Sequence, residues 1–144
     1  MEIFDIIKES FFEVIEKSVN LKLENSIIPL KRGYAVSIDM IDDKNKELKI
    51  STYIVFNKVF LKIMCEKFLC EEDPDEAAIT DMAKELANLI IGHAKVIAQN
   101  YKTTFNISTP TYLGIKVVAN YEEGLHFRLL GEGHCSLFLH KLKA

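Results

Sequence analysis

Between Asp73 and Asn100 the chain carries a helical pattern that no proline interrupts after Pro74. Asp73 supplies an N-cap acid, Pro74 takes the first helical position, and Glu76 falls three residues after the cap. That is the arrangement of a capped helix start. A helix from here to about Asn100 reaches roughly 40 Å at 1.5 Å per residue. Gly92 is its one weak interior position. At 100° per residue, Ile79, Met82, Ala83, Leu86, Ala87, Ile90, Ala94 and Ile97 share one broad apolar side. Asp81, Glu85, Asn88 and Gly92 follow at spacings of four, three and four, on a separate polar stripe that Lys95 and Gln99 extend. Such an element must lie against a core and leave its stripe to water or to a partner.

The rest of the chain supplies that core. Ile3, Phe4, Ile7, Phe11, Val14 and Ile15 predict an amphipathic first helix of about five turns. From Ser26 the period shortens. Ile27, Ile28 and Leu30, then Tyr34, Val36, Ile38 and Met40 around Gly33, predict one or two strands, and Leu48, Ile50, Thr52, Ile54 and Phe56 another. Residues 42–47 read as a polar hairpin loop. Asn57 is placed to cap a second helix running to about Leu69. Strand composition returns at 104–108, 112–119, 125–130 and 135–139, with turns at 120–124 and 131–133. The order predicts a single α+β domain over residues 1–144: a mostly antiparallel sheet with helices, one of them long, packed on one face.

Charge and cysteines narrow the class. The net charge is −3 and no Lys/Arg block exceeds two residues, which argues against a nucleic-acid partner. The start of the chain is acidic from Glu2 and lacks the basic, then apolar, pattern of a secretory signal. No apolar run approaches the roughly 20 residues of a membrane-spanning helix. Cys65, Cys70 and Cys135 are an odd set without CxxC spacing, so they read as reduced, mostly buried thiols. A cytoplasmic location follows.

The polar stripe is the candidate site. Glu85 and Asn88, one turn apart on a rigid element, offer a carboxylate and a carboxamide at fixed separation. The carboxylate can accept a charge-assisted bond from a partner lysine. The carboxamide both donates and accepts, so it can hold and orient a water. Gly92, without a side chain, leaves room for another protein's backbone. The plain alternative is an ordinary solvated helix face. His93, His126, His134 and His140 show no metal-ligand spacing. His134 and Cys135 are strand neighbours that point to opposite faces, not a nucleophile–base pair.

The run from Asp81 to Lys95, DMAKELANLIIGHAK, resembles the D…E-x-x-N…G signature helix of the CheC/CheX/FliY chemotaxis phosphatases. Ser108-Thr109-Pro110 followed by Gly114 resembles the S/T-P…G segment of the CheX-like members, and the likeness spans roughly residues 29–118. CheC-like members carry two such helices. Here the first helix offers Glu13 and Glu16, but residue 19 is a valine, which points to the one-site, CheX-like branch.

The resemblance implies a phosphatase that hydrolyses the aspartyl phosphate of a CheY-like response regulator. In such a pair the regulator carries the phospho-aspartate, the Mg²⁺ and a lysine, so the chain needs no cofactor of its own. Glu85 would anchor that lysine and Asn88 would position the attacking water, with Asp81, Gly92 and Lys95 contacting the partner. The resemblance also implies a homodimer formed through the sheets. The rival from another class is a non-catalytic adaptor that docks on a receiver or a flagellar-switch protein without hydrolysis.

Overall fold

In the computed structural model, which describes residues 3–42, 48–101 and 105–143, three helices cover one face of a seven-stranded sheet. The elements are α1 (Ile3–Val19), β1 (Glu24–Ser26), β2 (Arg32–Asp42), β3 (Leu48–Phe56), α2 (Lys58–Leu69), α3 (Glu76–Asn100), β4 (Phe105–Ile107), β5 (Thr111–Val117), β6 (Glu123–Leu129) and β7 (Gly133–Lys143). The strands run in the order β1-β6-β7-β3-β2-β4, and every pairing is antiparallel. β5 also pairs β2, along Arg32–Ser37, while β4 takes the far end at Met40–Asp42. The long strand β2 can therefore host two short neighbours on one edge. Of the hairpin loop predicted at 42–47, Asp42 is the last residue of β2 and residues 43–47 lie outside the described ones.

The period of two along the strands sorts the core into two layers. Tyr34, Val36, Ile38 and Met40 of β2, Ile50, Ile54 and Phe56 of β3, and Cys135, Leu137 and Leu139 of β7 join the large helix-side core. Ala35, Val55 and Phe138 join Val118 in a smaller cluster on the opposite face. α1 contributes Phe4, Ile7, Phe11 and Ile15, with Phe11 stacked on Phe127 at 4.9 Å between ring centroids. α1 and α3 touch directly, and the buried Ser10 Oγ donates to the Ile90 carbonyl at 2.5 Å.

Asn57 caps α2 as its sequence position predicts. Its Oδ1 accepts from Phe60 N at 2.9 Å and from His134 N at 2.9 Å, which ties the helix start to the beginning of β7. The start of α3 differs from expectation. The cap is Asp75, whose carboxylate accepts from Ala78 N at 2.8 Å, and Asp73 lies before the helix at φ 50°. Tertiary contacts decide between the two frames. Glu76 does not fold back on Asp73; it accepts from the Tyr34 hydroxyl at 2.9 Å and pairs with Lys58, pinning the helix start to β2 and α2. Burial, then the bond to Glu76, pushes the Tyr34 hydroxyl up to about 12. The predicted strand at Ile27 and Ile28 is also displaced. Both are exposed, at 95% and 67%, and β2 begins only at Arg32, after Pro29 has removed a ladder donor.

Candidate active site

α3 is fixed along its full length by ten buried residues, from Ile79 to Ala98. The opposite side carries Asp81, Glu85, Asn88, Gly92 and Lys95, all exposed. The structure thus places the five predicted site residues on one surface stripe of one rigid element. Glu85 and Asn88 make no side-chain hydrogen bond or ion pair to another described residue. Lys84, the cation next to Glu85 in sequence, is held elsewhere, with its Nζ 5.5 Å from the centroid of the Tyr112 ring. The carboxylate and the carboxamide are left unspent.

Gly92 sharpens the point. A methyl group added there would meet nothing within 4 Å. Glycine inside a helix costs about 1 kcal/mol relative to alanine, and no internal contact requires it at this position. Gly33 is the contrasting case, since a Cβ there would meet the Phe56 carbonyl oxygen at 2.4 Å.

Two walls flank Asn88, and the sequence identified neither as a wall. On one side, Ser108, Thr109 and Pro110 close a pocket of about 280 Å³ against Asn88, Ile91 and Gly92. Ser108 holds this segment in place. Its N–H donates to the Asp39 carbonyl at 2.9 Å and its Oγ accepts from Asp39 N at 3.0 Å, so it extends the β2–β4 pairing by one residue. Gly114 follows at φ 82°, where the β2–β5 register shifts by a bulge. On the other side a groove of about 490 Å³ runs between α3 and α1, lined by Asn88, Gly92 and apolar side chains. There the His93 Nε2 pairs with Glu13 Oε2, and that bond, ahead of the charge itself, holds the Glu13 carboxyl below its usual value. His93 is thus a helix–helix tie.

The two central carboxylates of α1 are used within the fold. Glu13 is engaged by His93, and Glu16 Oε2 accepts from Leu23 N at 3.0 Å. Among the described residues no three His, Cys, Asp or Glu side chains converge as metal ligands. Cys65 and Cys135 are buried free thiols whose burial pushes their pKa up, and Cys70 is free and exposed. Among the described residues no helix is long and apolar enough to cross a membrane.

The fold is thus an α+β layer that backs one helix and turns outward a carboxylate and a carboxamide that no other described residue engages. A family profile, chemotaxis phosphatase CheX, matches residues 37–125, and the chain belongs to that family. The fold is that of CheX and CheC-like structures. It resembles chemotaxis protein CheX from Vibrio vulnificus, at TM-score 0.77 and 19% identity over 97% of each chain. It resembles a CheC-like superfamily protein from a Shewanella species, at 0.72 and 20%, covering 97% of this chain and 99% of that one. It also resembles the structure of a CheX–CheY–BeF3–Mg²⁺ complex from Borrelia burgdorferi, at 0.72 and 15% over 99% of each chain. No functionally curated protein matches the sequence.

Proposed function

We propose that this chain hydrolyses the aspartyl phosphate of a CheY-like response regulator, in the cytoplasm, as a signal-terminating phosphatase. The observation that carries the reading is the Glu85–Asn88 pair, without a side-chain partner among the described residues and exposed on a helix whose other side is locked into the core of a CheX-family fold. The Borrelia burgdorferi relative, crystallised as a complex with CheY, supports the choice of partner.

In this reading Glu85 accepts a hydrogen bond from a lysine of the regulator and anchors the complex. Asn88 enters the regulator's phosphorylation pocket. Its carboxamide oxygen accepts one hydrogen of a water and aims the water's lone pair at phosphorus, in line with the aspartate oxygen. The water oxygen bonds to phosphorus, the phosphorus–aspartate bond breaks, the carboxylate leaves, and inorganic phosphate carries the water's protons. A loose phosphoryl transition state needs positioning and charge neutralisation more than a titrating base, so a carboxamide suits the task. Mg²⁺ belongs to the regulator in this scheme. Asp81 and Lys95 extend the contact surface, and Gly92 admits the regulator's backbone.

The same reading includes a homodimer formed through the sheets. β5 pairs only β2 among the described strands, and Ile115 and Val117 on it are 53% and 61% exposed. An open strand edge with exposed apolar residues favours pairing with a second chain. Sedimentation velocity should give twice the monomer mass.

The test is phosphate release from Mg²⁺-loaded, phosphorylated receiver domains of the same organism. Release faster than each receiver's own decay supports the phosphatase. Binding to a receiver without faster release would establish the adaptor instead.

A further inference from the structure

The Glu85–Asn88 stripe is too polar to hold a protein by itself. Asp81, Glu85, Asn88, Gly92 and Lys95 supply no apolar side chain. Protein interfaces take most of their binding energy from a few buried apolar or aromatic anchors, while rim charges chiefly set orientation and on-rate. A phosphatase for a transient regulator therefore needs an apolar contact next to its polar pair.

The groove between α1 and α3 offers one. Asn88 and Gly92 line it together with Leu89, Val14, Phe68 and Val96. Val96 is 53% exposed and is the exposed large hydrophobic residue of α3. It follows Asn88 and Gly92 at helical spacing, on the same side and roughly 12 Å from Asn88 at 1.5 Å per residue. That distance lies well inside the footprint of about 800 Å² per partner that a standard complex covers. A protein delivering its phospho-aspartate to Asn88 must also overhang this groove.

The charged groups beside the groove fit an apolar occupant. Glu13 and His93 are hydrogen-bonded to each other, so covering them leaves neither side chain without a polar partner. Lys17 lines the same groove and is exposed to water.

We infer that the α1–α3 groove is the apolar anchor point for the response regulator, receiving an apolar side chain from the receiver surface beside its phosphorylation pocket. The inference rests on the function proposed above and adds a specificity-determining residue, Val96, which touches no reacting atom. It binds the regulator in its ground state and its transition state alike, so its loss raises KM and leaves kcat in place.

The experiment is steady-state hydrolysis of a phosphorylated receiver by the full-length chain, comparing wild type, Val96→Asp and Val96→Leu. Each is paired with titration against the receiver loaded with beryllofluoride and Mg²⁺. Val96→Asp should raise KM and Kd about tenfold or more, with kcat within about twofold, and Val96→Leu should restore both. A wild-type KM for Val96→Asp, with wild-type hydrolysis intact, would overturn the anchor and leave the phosphatase reading standing. Absence of hydrolysis and binding by wild type would remove both. A shift of Val96→Asp from dimer to monomer would reassign the groove to a second copy of the chain and overturn the inference. Chains unfolded by the substitution are recognised from their circular dichroism, and Val96→Lys, equally polar at this exposed site, then decides the outcome by the same KM criterion.

Discussion

α1 and α3 lie side by side on one face of the sheet and run in the same direction, since Ser10 meets Ile90 and Glu13 meets His93. Both are amphipathic, and both carry acidic side chains at helical spacing. Their polar groups have opposite fates. On α1, Glu13 is bound to His93 and Glu16 to the Leu23 N–H, so both carboxylates serve the fold. On α3, Asp81, Glu85 and Asn88 serve no described residue. Acidic side chains at helical spacing are thus structural on one helix and available on its neighbour. Burial and partnership go together here: Glu13 and Glu16 are half-buried and bonded within the chain, whereas Asp81, Glu85 and Asn88 are exposed.

Substitutions of the two glutamates put the contrast to direct test. Glu85→Ala should weaken the complex with a beryllofluoride-loaded receiver by roughly 10- to 100-fold, the worth of a hydrogen bond to a charged group. Its unfolding free energy should stay within about 0.5 kcal/mol of wild type. Glu13→Ala in the same titration should bind nearly as wild type does. Equal losses of binding from the two variants would erase the distinction between the helices.

Gly92→Ala is expected to separate stability from function in the reverse sense. The methyl meets open space inside the chain, so the helix should gain about 0.5–1 kcal/mol and melt at a higher temperature. The regulator's backbone would meet that methyl, and binding should fall. A variant both more stable and equally tight in binding would show that the glycine has no role at the interface.

The smallest effect concerns acid. The bond to His93 lowers the Glu13 carboxyl in the folded chain. Its stabilisation is fully present above the ordinary value of 4.5 and is lost as pH falls through the lower folded value. The side chain is 35% exposed, so solvent screening keeps the contribution below about 1 kcal/mol. Between pH 7 and 3, denaturant unfolding should show wild type losing slightly more stability than Glu13→Gln. Parallel curves would mean that the tie is not formed as an ion pair.

What could be read from the sequence tracks how local its cause is. The span of α3, its buried side and its polar stripe follow from periodicity within 25 residues, and all three were legible. The Asn57 cap was legible for the same reason. The start of α3 was misplaced by two residues because Tyr34 and Lys58, distant in sequence, recruit Glu76. Ile27 and Ile28 suit a strand by composition, yet Pro29 and the late start of β2 leave them outside the sheet. The walls beside Asn88 were the least legible. One comes from residues 108–110, held by Asp39, and the other from α1, some 80 positions away along the chain. No local pattern encodes either meeting. His93 likewise gave no sign of its partner, because Glu13 lies on a different helix.

The measurement that bears most directly on the central claim compares wild type with Asn88→Ala on a phosphorylated receiver, with binding followed in parallel. Loss of a group that positions the attacking water should lower kcat on the order of 100-fold, while Kd for the beryllofluoride-loaded receiver changes by no more than a few-fold. Wild-type turnover by Asn88→Ala would contradict the account and return Asn88 to the status of a solvated surface residue.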